Sequence, residues 1–325
     1  MNVIHGLEGV DPPLTQCVLT VGNFDGVHRA HQQLLAQAGL FAARTGGPVV
    51  VLTFEPHPLT VVAPDRAPAR LSTLDEKLHE LARAGAQTIV VARSEPALLS
   101  LEPEAFVREI LLHKFHPTHV VEGPSFGFGR GRRGTPELLE RVAGESGCKV
   151  HIVQPVTLQM GDGDALLVSS SLIRKLITKG DVRQAALCLG RPYALGGRVV
   201  QARGRGRGLG FPTANIPIPD KLIPRDGVYA GRATIGERSR PCGISIGHTP
   251  TFGGSQRQIE AHLLDFDADI QDQFIRIEFE RFLREQRTFD SPDALKAQVQ
   301  LDLNEIRREV DPSSSQTDAE QRISR

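Results

Sequence analysis

Hydrophobic positions follow two different rhythms along this chain. In the first half, short apolar runs at 17–21, 48–54, 88–92, 118–122 and 149–153 alternate with stretches whose apolar residues recur every three or four positions. The runs read as buried strands and the stretches as amphipathic helices. Leu34, Leu35, Ala38 and Phe41 mark one helical face within 31–44. Thr73 and Glu76 make a capping-box pair ahead of a helix that runs to Ala84 and stops at Gly85. Residues 104–115 repeat the helical spacing, and Thr135-Pro136-Glu137 opens another helix with proline in its first position. The proline-rich 56–68 segment reads as a loop. Strands alternating with helices predict an α/β unit, a parallel sheet with helices on its faces. In such sheets ligands bind beyond the carboxyl ends of the strands.

The rhythm changes near Gly190-Arg191-Pro192-Tyr193. Helical spacing gives way to β-rich runs at 195–201, 228–235, 241–246, 259–266 and 274–282, separated by turn residues. This predicts a compact antiparallel barrel. Leu295, Val299, Leu303 and Ile306 then mark a closing helix over 291–308. Residues 311–325 are polar and aperiodic, and read as a disordered tail.

Length and charge narrow the picture. At about 150 residues per domain, 325 residues suggest two domains. The 38 basic and 38 acidic residues cancel, which disfavours a dedicated nucleic-acid binder. Cys17, Cys148, Cys188 and Cys242 are scattered, with no Cys-x-x-Cys pair, as expected of a reducing compartment. The start of the chain lacks the pattern of a signal peptide, and no apolar run is long enough to span a bilayer. The expected location is the cytoplasm.

Candidate chemistry in the first half gathers after the predicted strands. Gly22-Asn23-Phe24-Asp25-Gly26-Val27-His28-Arg29-Ala30-His31 joins the first strand to the first helix. Gly22 and Gly26 let backbone approach a ligand, and the helix start turns free N–H groups toward a phosphate. His28 and His31 fall on one side of the first turn, where they can donate hydrogen bonds and carry some charge near neutral pH. Capping the helix or binding a metal are the plainer alternatives for such a pair. The loop after the fourth strand, Gly123-Pro124-Ser125-Phe126-Gly127-Phe128-Gly129-Arg130-Gly131-Arg132-Arg133-Gly134, fits a mobile segment facing phosphate or flavin, or an ordinary exposed loop. Ser169-Ser170-Ser171-Leu172-Ile173-Arg174 opens a helix whose N–H groups can hold a second phosphate, with Arg174 one turn in. The simpler alternative is an ordinary cap with a surface arginine.

Two stretches stand out in the second half. Gly204-Arg205-Gly206-Arg207-Gly208-Leu209-Gly210 runs into Phe211-Pro212-Thr213-Ala214-Asn215. If that segment is extended, Thr213 and Asn215 share a face, and their hard oxygens can share a magnesium ion. In Glu260-Ala261-His262-Leu263, Glu260 and His262 share one face of a strand. A carboxylate there can take a proton from an attacking alcohol, or it can be one of the polar residues of an edge strand. Neither a Gly-x-Gly-x-x-Gly fingerprint nor a Walker A motif occurs.

The His28 to His31 turn resembles the His-x-Gly-His motif of the nucleotidyltransferase superfamily, with Ala30 in place of glycine. Together with the loops at 53–58, 123–134 and 169–174, it resembles the adenylyltransferase module of the prokaryotic bifunctional riboflavin kinase/FMN adenylyltransferase (FAD synthetase) family. The Pro-Thr-Ala-Asn and Glu260 stretches, with Asp226-Gly227-Val228-Tyr229 and Gly247-His248-Thr249-Pro250-Thr251-Phe252, resemble the same family's riboflavin kinase domain. Departures are Ser125 for an Asp or Asn, Ser245 for asparagine, Ile270-Gln271-Asp272 for Leu-Tyr-Gly, and Gln286 for glutamate.

The resemblance implies a Rossmann-like nucleotidyltransferase domain over 14–188. A six-stranded antiparallel β-barrel kinase domain with a C-terminal helix would follow over 189–310. It implies ligand contacts at Gly22, Phe24, Asp25, Gly26, Ser125, Phe126, Phe128, Ser170 and Ser171, with His28, His31 and Arg174 stabilising charge as pyrophosphate leaves. In the barrel it implies Mg-ATP held by Gly204, Gly206, Gly208, Gly210, Thr213 and Asn215, with Glu260 as base. The substrates implied are ATP, riboflavin and FMN, with no nucleic acid or membrane. Two rivals keep only the kinase, or make the chain a flavin-binding sensor without turnover.

Overall fold

The computed structural model describes residues 1–11, 13–159, 165–200, 211–251 and 254–310. The chain divides into two units, Met1–Ser170 and Ser171–Arg325. The glycines at 204, 206, 208 and 210 and the 311–325 tail lie outside the described residues.

In the first unit, six strands form one parallel sheet: β1 (Asn2–His5), β2 (Val18–Val21), β3 (Val49–Glu55), β4 (Thr88–Arg93), β5 (His119–Glu122) and β6 (Lys149–Ile152). Their order is β1-β4-β3-β2-β5-β6. The apolar rhythm predicts β2 to β6. It misses β1, a short edge strand that becomes legible only through its pairing with β4. From β2 the chain crosses to β3 on one side, and after β4 it returns to β5 on the other. The strand order therefore reverses between β2 and β5.

Apolar side chains fill both faces of this sheet. Val18, Val49, Val51 and Val121 meet Leu35, Ala38 and Ala42 of the Arg29–Thr45 helix. Leu19, Val21, Val50 and Val120 meet Phe106, Val107, Leu111, Leu139 and Val142 on the opposite face. The Arg29–Thr45 helix ends at Gly46 with φ 76°, in the left-handed region that glycine tolerates. The capping box forms as expected: Thr73 accepts from the Glu76 N–H at 3.2 Å, and Glu76 accepts from the Thr73 N–H at 2.9 Å. The 56–68 segment is not a plain loop, since it contains the Pro58–Val62 helix and a 3-10 turn at Pro64–Arg66. A small hairpin, β7 (Thr157–Gln159) with β8 (Ala165–Leu167), follows the sheet.

The second unit holds the helix Val182–Leu189 and a barrel of six strands: β9 (Tyr193–Arg198), β10 (Ala214–Ile216), β11 (Gly227–Ile235), β12 (Arg238–Thr251), β13 (Gly254–Leu263) and β14 (Phe274–Arg284). All adjacent pairs are antiparallel, in the order β10-β13-β12-β11-β14-β9. The Val200 N–H donates to the Asn215 carbonyl at 3.0 Å and joins the two edges. Tyr229, Ile244, Ile259, Ala261, Ile277 and Phe279 are buried. Ser291 accepts from the Ala294 N–H and starts the closing helix Pro292–Val310. Leu303, Ile306 and Val310 of that helix cover Ala230 and Leu264. Each such burial contributes about 1.5–3 kcal/mol.

Candidate active sites

The β2-to-helix turn is tightly built. Phe24 and Val27 take φ of 49° and 40°, a backbone region that is costly for a β-branched residue. The Val27 N–H donates to the Phe24 carbonyl, and Val27 accepts from the Gln32 amide. Gly26, at φ 82°, donates its N–H to the Ser72 hydroxyl at 3.0 Å. The Asp25 carboxylate accepts the N–H groups of Leu71 and Ser72 at 3.0 Å and the Ser72 hydroxyl at 3.1 Å. Asp25 is thus engaged by protein backbone, which holds the 71–72 segment against the turn. The Ser170 hydroxyl donates to the Asp25 carbonyl at 3.0 Å, so the turn is fastened from a third segment. Asn23 meets the His57 ring at 3.1 Å, which ties in the loop after β3.

His28 is 4% exposed and caps the Arg29–Thr45 helix with extended backbone. Its ring stacks on His31 at 3.6 Å, and Phe24, itself buried, meets His31 edge-on at 5.0 Å. The sequence expectation that the pair carries charge is corrected for His31. Burial first, and the neighbouring His28 second, hold His31 well below its ordinary range, as the neutral ring. A buried imidazole of this kind is a hydrogen-bond donor rather than a standing cation.

The loop after β5 also departs from expectation. It is closed by a bridge between Phe128 and Gly134, and Arg130 and Arg133 pair with Glu102. Arg130 and Arg133 are therefore engaged with a protein carboxylate. Phe128 lies in the core against Phe106, with Phe126 stacked on it at 5.2 Å; burial corrects Phe128 from a ligand-facing side chain to an anchor. Ser125 is exposed. Ser171 and Arg174 lie on the Ser170–Lys179 helix, exposed and half-buried respectively.

In the barrel, plain register assembles the candidate residues. Asn215 on β10 pairs directly with Glu260 on β13, and Glu260 pairs with Ser245 on β12. The three half-buried residues form a row across one face, while Ala214, Ile216, Ile259 and Ala261 are buried on the other. Thr213 precedes β10 and continues its alternation of half-buried and buried positions. The Gln286 amide donates to the Ser245 hydroxyl at 2.9 Å and to the Ile246 carbonyl at 3.1 Å. His262 holds the Pro212 carbonyl at 2.8 Å, and its ring meets Phe211 edge-on. Beyond the end of β13 lies a cavity of about 240 Å³ whose walls include Leu263, Phe266, Arg238 and Arg240.

Sequence reasoning missed Ser72, the His57 contact and the His262 clamp on Pro212. A hydrogen bond across 46 positions, as between Ser72 and Gly26, leaves no local signature. The paired face of Glu260 and His262 did offer a hint.

A strained turn bearing two histidines on a parallel sheet, joined in one chain to a barrel with a carboxylate beside hard oxygens, is the pattern of a two-domain transferase that handles nucleotides. The comparisons agree with that class. The FAD synthetase family model matches residues 11–166, and the riboflavin kinase model matches residues 189–310. A bifunctional riboflavin kinase/FMN adenylyltransferase of Escherichia coli strain K12 is 36% identical over 93% of this chain and 96% of its own length. The Bacillus subtilis protein of the same description is 31% identical over 95% of this chain and 97% of its own. A crystal structure from Streptococcus pneumoniae, described as a macrolide-efflux protein, superposes with a TM-score of 0.83 at 28% identity over 94% of this chain and 99% of its own. Among the described residues here, no helix is long and apolar enough to cross a membrane.

The chain belongs to the bifunctional riboflavin kinase/FMN adenylyltransferase family. Its activities are phosphorylation of riboflavin to FMN and adenylylation of FMN to FAD, both drawing on ATP.

Proposed function

We propose that the two activities use separate sites, the kinase over 189–310 and the adenylyltransferase over 14–188. The observation that carries this reading is the register that sets Asn215 opposite Glu260, in a unit that does not contain His28 and His31.

In the kinase reaction, Glu260 takes the proton from the ribityl 5′-hydroxyl. The freed oxygen bonds to the γ-phosphorus as the bond to the β–γ bridging oxygen breaks, leaving FMN and ADP. Thr213 and Asn215 are the residues we assign to magnesium. They fit it: both offer hard oxygens on the face of Glu260, and magnesium keeps waters and substrate phosphates in its shell. When bound, the ion neutralises charge on the ATP phosphates. Gly204, Gly206, Gly208 and Gly210 are assigned to those phosphates.

In the adenylyl transfer, an FMN phosphate oxygen bonds to the α-phosphorus of ATP as pyrophosphate departs. His28 and His31 donate hydrogen bonds to the charge that develops, and Arg174 is assigned to the same phosphates. Gly22 gives the backbone close approach, while Ser125, Phe126 and Ser171 remain candidate flavin or phosphate contacts. Phe24, Asp25, Gly26 and Ser170 act by shaping the turn. The buried free cysteines and balanced charge support a cytoplasmic enzyme acting on small molecules rather than on nucleic acid or membrane.

One incubation with riboflavin and Mg-ATP, resolved by chromatography, tests the whole reading. FAD is the expected product. FMN alone would leave the first unit idle, and unchanged riboflavin would contradict both assignments.

A further inference from the structure

Between β2 and β5, where strand order reverses, the sheet contains a carboxyl group that the proposed mechanism does not use. Glu122, the last residue of β5, is 2% exposed, and its Oε1 accepts the Val21 N–H at 2.6 Å. Backbone pairing between these two strands reaches only Leu19 with Val120. Beyond that point the Glu122 side chain replaces the missing ladder bond. Val21 is the last residue of β2 and immediately precedes the 22–28 turn. We propose that Glu122 is a positioning residue for adenylyl transfer, holding the Val21 amide and through it the path of the phosphate-facing turn. The inference rests on placing the adenylyltransferase site at that turn.

The surroundings favour the protonated form. Burial pushes the Glu122 carboxyl well above its ordinary range, and the Val21 N–H opposes that only in part. Val120 and Glu122 face the 103–115 and 136–144 helices. Arg108, Glu109, His113, Glu137, Glu140 and Arg141 of those helices are exposed, and Lys114 is half-buried. Of these, Arg108 is taken by Glu145, and Arg141 by Glu104 and Glu145. Arg130 and Arg133 of the following loop are taken by Glu102. On β6, Lys149 is exposed and His151 stacks on Phe41, while at the turn Asp25 is bound to the 71–72 backbone and His31 is held neutral. Among the described residues, no cation compensates Glu122.

The neutral acid can serve both needs here. Its carbonyl oxygen accepts from Val21, and its second oxygen carries a proton. Ionisation would set an unpaired negative charge at the mouth of a crevice that must admit a triphosphate, and would draw water to the carboxylate. Glutamine mimics the neutral acid at every pH, whereas leucine leaves the Val21 N–H without its acceptor.

The test measures FAD formation from supplied FMN and Mg-ATP in the full-length protein and in E122Q and E122L. FMN formation from riboflavin in the same samples controls for folding. The expected result is about a tenfold loss of FAD formation in E122L and a rate in E122Q close to that of the wild type, with FMN formation unchanged in both. Hydrogen exchange at the Val21 amide should quicken in E122L and not in E122Q. Full FAD formation by E122L, or a loss in E122Q as large as that in E122L, would overturn the proposal. Absence of FAD from the wild type would instead sink the site assignment, and the Val21 exchange comparison would still decide whether Glu122 holds the amide.

Discussion

The two sites are built by opposite means. In the first unit, polar groups of the turn are consumed in shaping it: Asp25 holds the 71–72 backbone, Gly26 donates to Ser72, and Ser170 ties down the Asp25 carbonyl. The imidazoles that remain are stacked, with His28 buried and His31 partly so. In the barrel, antiparallel register alone sets Asn215, Glu260 and Ser245 side by side on a half-buried face. On the proposed assignments, the difference follows from the work each site does. Stabilising charge on a departing pyrophosphate calls for fixed donors in a dry pocket, because reorganisation at the moment of reaction is costly. A general base needs reach to one hydroxyl, and two neighbouring strands supply that.

The comparison can be broken most sharply at His28. His28→Ala should cut FAD formation by about 10²–10³-fold, the usual cost of a lost transition-state donor, and leave FMN formation intact. Parallel loss of both products would mean that the units are not independent. Asp25→Ala orphans the N–H groups of Leu71 and Ser72, at about 1–3 kcal/mol for each one left buried. Its expected signature is a lower unfolding midpoint and reduced FAD formation, with the kinase rate unaltered.

Acid should separate the units further. His31 is held below its ordinary value in the folded state, so the unfolded chain binds more protons as pH falls through the imidazole range. The stability His31 supports is present above the unfolded value and drains away below it. FAD formation and first-unit unfolding should therefore fail on acidification before the barrel does, and His31→Gln should remove that sensitivity. The smallest effect is expected at Ser245→Ala. It deletes one hydrogen bond to Gln286 on a half-buried face, at about 0.5–1.5 kcal/mol, and should slow FMN formation only a few-fold.

Legibility in the sequence divides along the same line. The shared faces in the barrel could be read because residues alternate along short strands, so that 213/215 and 260/262 each announce one. The Thr73 and Glu76 box, the apolar runs of β2 to β6 and the closing helix were legible for the same local reason. What escaped depends on distant partners: β1 exists only beside β4, Ser72 matters only through Asp25 and Gly26, and Glu122 is unusual only because β2 and β5 bury it. The 123–134 loop carries contacts that its composition does not announce: a Phe128–Gly134 bridge, and Arg130 and Arg133 paired with Glu102.

The claim that most needs testing is that one polypeptide carries two chemically independent centres. Glu260→Gln, supplied in turn with riboflavin and with FMN alongside Mg-ATP, puts it most directly. The account predicts no FMN from riboflavin and FAD from FMN at the wild-type rate. Continued phosphorylation of riboflavin, or loss of FAD formation from supplied FMN, would contradict it.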